Sequence, residues 1–165
     1  RFLKRPELAF FTTNIVWADS DDDALEQADE AVVALDPPHQ PQKVADCLLR
    51  PNIRRLIVEK PLASSEGEAS ALLEQLIAAG PQLRIGYTLR FTPWADRLRV
   101  QFAGTAPSRL EIDWRFQAHH FRHDIDTWKR SAETGGGPLR FFGIHLLALL
   151  SELGFDRVKI GRAHV

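Results

Sequence analysis

Between residues 31 and 87 the chain alternates short apolar runs with segments of helical periodicity. Ala31-Val32-Val33-Ala34-Leu35 is a continuous small-apolar run, the pattern of a strand buried on both faces. Asp36-Pro37-Pro38-His39-Gln40-Pro41 then makes a rigid turn, with Pro41 suited to the first helical position. Val44, Ala45, Leu48 and Leu49 give the next segment one apolar helical face. Arg55 to Glu59 reads as a second strand. Ser65 and Glu68 have capping-box spacing, Ala69, Leu72, Leu73, Leu76 and Ile77 line one face behind them, and Gly80-Pro81 ends the helix. Leu83 to Tyr87 is a third short strand. Strand, helix, strand, helix, strand with short connections predicts parallel βαβ units.

The flanks are patterned differently. Phe10 to Trp17 has the content of a strand, and Asp19-Ser20-Asp21 offers N-caps for a short helix through Gln27. After Arg90, Leu110, Ile112, Trp114 and Phe116 alternate with Glu111, Asp113 and Arg115, as in a half-solvated strand of an antiparallel sheet. A helix-poor stretch runs through Trp128 to Gly135-Gly136-Gly137. The most apolar helix then spans about Leu139 to Leu153, with Gly154 as its stop. A boundary between two architectures falls near residues 88–93.

Composition narrows the class without naming a function. At 165 residues the chain holds one good core or parts of two domains. Apolar content of 44% and charged content of 26% are those of an ordinary globular protein. A net charge of −1 argues against nucleic acid or an anionic membrane surface as partner. The single Cys47 excludes an internal disulfide and fits a reducing compartment, and no apolar run approaches membrane-spanning length. The expected location is cytoplasmic. The chain begins at Arg1 and contains no Met, while Ile160 to Val165, after Lys159, matches the translation of a common sequencing-library adapter. A gene fragment truncated at both ends is therefore expected, with residues 160–165 set aside as a foreign scar.

The chemistry centres on Glu59-Lys60-Pro61. Proline fixes its own φ and restricts the residue before it, so Lys60 projects from a defined, non-helical backbone. At the carboxyl end of a parallel strand this places an ammonium in the crevice where open α/β sheets bind ligands. The plain alternative is a surface Glu-Lys pair of little energetic weight.

Four segments in order break the tie. Leu35-Asp36-Pro37-Pro38-His39-Gln40, Glu59-Lys60-Pro61, Gly86-Tyr87-Thr88-Leu89-Arg90-Phe91-Thr92-Pro93, and Trp128-Lys129 with Gly135 to His145 resemble motifs of the Gfo/Idh/MocA oxidoreductases. The resemblance covers most of residues 31–159. It implies an α/β fold: an incomplete Rossmann-like NAD(P)-binding domain over residues 1–90, then part of an α+β substrate and oligomerisation domain over 91–159, with an open, mainly antiparallel sheet. It implies hydride transfer between NAD or NADP and a sugar-like or cyclitol-like alcohol, and a homo-oligomer when full length. Lys60 and His145 map onto the catalytic pair. Leu35, Pro37, Pro38, His39, Glu59, Lys60, Thr88 and Arg90 map onto cofactor contacts. Trp128, Lys129 and Phe141 map onto the substrate side.

Two departures qualify the match. The family pattern has an Asp four residues before the His, one helical turn away, where this chain has Phe141. Phe can neither accept a proton nor orient an imidazole, so a non-catalytic sensor or regulatory paralogue stands as the alternative, beside an inactive fragment. Thr88 stands where an Asn is common. No Gly-x-Gly-x-x-Gly run precedes the first strand, so the pyrophosphate-binding βαβ unit is expected before Arg1, and NAD cannot be told from NADP. His119-His120-Phe121-Arg122-His123 carries possible metal ligands, but no second cluster completes a site and no metal is expected. Gly135-Gly136-Gly137 lacks the flanking Lys of a phosphate loop and reads as a flexible or tightly turned lead into the helix.

Overall fold

Residues 30–85 fold as the alternating pattern requires. The structure, a computed structural model, describes residue 6 and residues 9–104, 109–115 and 117–161. Strands β1 (Glu30–Val33), β2 (Arg55–Val58) and β3 (Gln82–Ile85) form a parallel sheet in the order β1-β2-β3. Helix α3 (Gln40–Leu48) links the first pair and α4 (Glu66–Ala79) the second. The register aligns Val33 with Val58 and Val58 with Ile85, so all three strands end at one edge. Parallel strands joined by crossover helices have this geometry, and the loops leaving their carboxyl ends share one rim.

Local signals set the helix limits. The Ser65 hydroxyl accepts from the Glu68 amide while the Glu68 carboxylate accepts from the Ser65 amide, so the capping box is formed. Gly80 ends α4 in the left-handed region at φ 81°, which costs glycine little. Before β1, a single turn α1 (Ala9–Thr12) stands where the sequence suggests a strand, and α2 (Asp21–Glu26) is capped by Ser20 as expected. No strand forms between Phe10 and Trp17.

The core lies on one face of the sheet. Ala31, Val33, Leu56 and Val58 point into it and meet Val44 and Cys47 of α3 and Leu72 and Leu76 of α4. Burial of the Cys47 thiol pushes its pKa up, so it behaves as a small apolar residue. The opposite face is not covered by α3 or α4, and Val32 is 65% exposed. The reading of residues 31–35 as buried on both faces is thus corrected: both connecting helices pack on the same side, as right-handed crossovers do. Leu49 and Ile77 also stand outside the core, Leu49 as the cap residue of α3 and Ile77 at the edge of the α4 stripe.

Beyond the sheet, a 3₁₀ turn (Thr88–Phe91) leads into α5 (Pro93–Phe102), which sequence patterning did not single out. Residues 109–115 form no strand, and Phe116 lies outside the described residues. A strand needs a neighbour to take its N–H and C=O groups, and alternation alone supplies none. The expected antiparallel sheet is therefore not formed among the described residues. A short helix α6 (His119–Arg122) and a 3₁₀ turn (Trp128–Arg130) follow. The apolar helix appears as α7 (Ile144–Glu152), preceded by one π-helical segment, Pro138–Gly143, and stopped by Gly154 at φ 88°.

Candidate functional site

Lys60 leaves β2 at the carboxyl rim on a half-buried loop whose Lys60–Pro61 peptide is cis. What holds that loop is Gln40, the first residue of α3 and the only buried polar side chain among the described residues. Its amide nitrogen donates to the carbonyls of Glu59 at 2.7 Å and Pro61 at 2.9 Å, while its oxygen accepts from the Leu35 amide at 3.4 Å. One side chain thus ties the turn after β1 to the loop after β2. In the sequence Gln40 stands out only as part of a turn; its one signal is an amide at the inward face of a helix start, flanked by Pro38 and Pro41. Replacing Gln40 with Leu is expected to cost about 1–3 kcal/mol, because it strands these backbone groups in the interior. A urea melt that superimposes on that of the parent protein would refute this.

The glycine run closes the site from the other side. Gly135 (φ 88°) is buried where an added Cβ would sit 2.9 Å from the Pro37 Cβ and 3.2 Å from the Ala63 carbonyl. An added Cβ on Gly136 would lie 2.1 Å from the Trp128 carbonyl oxygen. The run is a close-approach seam against both rim loops, in keeping with a tightly turned lead into the helix. Arg140 fastens the same seam by donating to the carbonyls of Ser64 at 2.9 Å and Ala132 at 3.0 Å.

This seam brings Phe141 to Lys60. The Lys60 ammonium donates to the Phe141 carbonyl and lies 3.7 Å from the centre of the Phe141 ring. The Lys129 ammonium stands 5.2 Å from the same ring centre. Trp128 and His120 meet the ring edge-on at 5.3 and 6.1 Å. Burial lowers the Lys60 pKa to about 8, with Lys129 pushing the same way and Glu59 opposing. Burial, then the Lys60 charge, lowers that of His145 to about 4. The His145 ring contacts Tyr87 edge-on at 6.5 Å, and its Nδ1 is buried without a hydrogen-bond partner among the described residues. At neutral pH the site therefore holds a cationic lysine of reduced pKa beside a neutral imidazole.

The remaining residues named from sequence divide by place. Leu35, Pro38, His39 and Thr88 are exposed on the rim, with His39 bonded to Asp36 at 2.8 Å. Pro37 is fully buried under Gly135 and presents no surface. Glu59 accepts from the Lys60 amide at 3.2 Å and lies against Gly86, where an added Cβ would be 2.8 Å from its Oε1. Arg90 is ion-paired to Glu152 of α7, which also holds Arg99. An open cleft of about 530 Å³ runs beside that ion pair, lined by Tyr87, Arg90, Ile144 and Leu147 among others, and includes neither Lys60 nor His145.

No family model matches the chain, and no curated protein matches it in sequence. Solved structures do match in fold. The WlbA dehydrogenase from Bordetella pertussis, solved with NADH and UDP-GlcNAcA, is similar with a TM-score of 0.66 and 20% identity over 89% of this chain and 43% of its own. GenD2 from gentamicin A biosynthesis, solved with NAD, gives 0.58 and 25% over 82% and 39%. An NAD-binding protein from Listeria innocua gives 0.55 and 15% over 84% and 41%. The chain spans about two fifths of each. These likenesses establish a Rossmann-like α/β fold.

Proposed function

We propose that the protein is an NAD(P)-dependent oxidoreductase of the Gfo/Idh/MocA type acting on a sugar-like or cyclitol-like alcohol. The observation that carries this is Lys60: a half-buried ammonium of lowered pKa, at the carboxyl rim of a parallel sheet, facing the helix that bears His145. That two of the similar structures were solved with NAD or NADH supports the cofactor class. The residues present fit the nicotinamide end of a dinucleotide, because Leu35, Pro38, His39 and Thr88 leave exposed rim on either side of Lys60. They and the backbone at Glu59 and Lys60 would hold it, with Pro37 acting through the backbone and Arg90 through its hold on α7. When bound, the nicotinamide supplies the hydride acceptor.

In this reading Lys60 donates a hydrogen bond to the substrate oxygen and offsets the negative charge that grows there. His145, neutral above its pKa, takes the hydroxyl proton. Trp128, Lys129 and Phe141 wall the substrate. Residues 1–90 form the cofactor side and 91–159 the substrate side of a cytoplasmic homo-oligomer. The competing reading is a ligand-binding sensor, favoured by one observation: the Phe141 ring and carbonyl already occupy the Lys60 ammonium, where an acid was expected.

Reduction of NAD or NADP across a panel of sugars and cyclitols separates the two. Turnover needs Lys60 protonated and His145 neutral, so its rate should rise as pH passes about 4 and fall as it passes about 8. Cofactor binding without turnover on any alcohol would leave the sensor. A rate that stays flat from about pH 8 to pH 10 would remove Lys60 from the mechanism.

A further inference from the structure

Around Phe141 cations outnumber anions: two ammoniums approach the ring, and the one carboxylate that acts on Lys60, Glu59, opposes its loss of charge from a distance without forming a salt bridge. Lys60 and Lys129 both approach its ring, at 3.7 and 5.2 Å from the centre, and neither ammonium has a carboxylate within salt-bridge range among the described residues. Neighbouring cations are committed elsewhere: Arg130 to Asp124 at 2.6 Å, and Arg140 to the Ser64 and Ala132 carbonyls. His120 faces the same ring at 6.1 Å, and its Nδ1 is buried without a partner among the described residues. Lys129 lowers the pKa of both Lys60 and His120, which places each of them within electrostatic reach of Lys129.

Such an arrangement costs free energy. Two ammoniums share one ring, whose quadrupole offsets only part of their repulsion. A neutral polyol would offer them uncharged acceptors and leave the net charge in place. An anionic group would accept from both lysines through charge-assisted bonds and from the imidazole N–H. We infer that Lys129, with Lys60 and His120 around the Phe141 ring, forms a subsite for an anionic group on the substrate, so that the site takes an acid-bearing sugar in preference to a neutral one. The inference rests on the oxidoreductase reading for the identity of the ligand as a sugar, and on the charge cluster alone for its being anionic. A carboxylate and a phosphate share this chemistry, and experiment tells them apart.

The test is calorimetric titration of the protein with D-glucose, D-glucuronate and D-glucose 6-phosphate, at two salt concentrations. One of the two anionic sugars should bind at least about tenfold more tightly than glucose, the return expected from one hydrogen bond to a charged group. That preference should shrink at high salt, vanish in Lys129→Gln and persist in Lys129→Arg. Which anion is preferred identifies the source. Equal affinities, no binding of either anion, or a preference that survives Lys129→Gln would overturn the inference. Failure of the broader reading looks different: an anionic sugar bound with the expected preference, yet never oxidised with NAD or NADP, keeps the subsite and removes the enzyme.

Discussion

Replacing Lys60 with Met is expected to lower kcat/KM by about 10²–10⁴-fold while leaving the protein folded. The activity loss follows from geometry: Lys60 is the cation that the rim of the parallel sheet and the π-helical segment hold between them. The retained fold follows from the sign of its pKa shift. Burial lowers the pKa from 10.5 to about 8, so folding disfavours the charged form. Stability attributable to this group therefore rises as pH passes from about 8 to 10.5, and below about 8 the charge is a liability. Met keeps the stem and removes the charge. The variant should melt no earlier than the parent at pH 7, and its melting curve should lose the rise above pH 8. Steady-state kinetics and thermal melts at pH 7 and pH 9.5 measure both. A variant that turns over normally would sink the assignment; one that unfolds would show that Lys60 is structural.

His145 works in the same direction at the acid end. Its lowered pKa means the unfolded chain takes up a proton first as pH falls from about 6.5 towards about 4, and stability drains in that window. A half-buried imidazole that carries this liability, with a buried Nδ1 that finds no hydrogen-bond partner among the described residues, is not a well-satisfied core residue. That is the physical ground for preferring the functional reading over packing, which the apolar neighbours Ile144, Leu146 and Leu147 would otherwise recommend.

The parallel βαβ alternation, the limits of α4 and the rim position of Lys60 are legible in the sequence because each rests on local chemistry. A capping box, a left-handed glycine and a Glu-Lys-Pro after a β-branched run are short-range signals. What was not legible depended on distant partners. Val32 reads as core until one asks which helices cover each face. Residues 110–115 read as a strand until a neighbour is required. Phe141 was read from sequence as a missing acid; in three dimensions it is a ring and carbonyl against Lys60. Gln40 escaped because its value comes from three backbone groups, two of them about 20 residues away.

The same dependence makes the seam at Gly136 the least tolerant of an added side chain among the described glycines. Gly136→Ala places a methyl 2.1 Å from the Trp128 carbonyl oxygen and 2.6 Å from the Lys129 carbonyl carbon, both backbone atoms that cannot rotate away. Overpacking of ordinary cores costs about 1–3 kcal/mol, and here rigid backbone must move by more than an ångström, so the upper end or beyond is expected. For a chain of 165 residues that corresponds to a melting temperature lower by roughly 6–12 °C. Relief comes by lifting residues 128–137 off Pro37 and Ala63, which takes Lys129 and Phe141 away from Lys60. Hydrogen exchange in that segment should accelerate before the sheet opens, and activity should fall with it. Gly67→Ala is the control: it lies in the first turn of α4 with nothing within 4 Å of the added methyl, and should change stability by no more than ~1 kcal/mol, in the favourable direction. If both variants melt alike, the seam is not what positions the helix, and the route from glycine run to Lys60 fails with it.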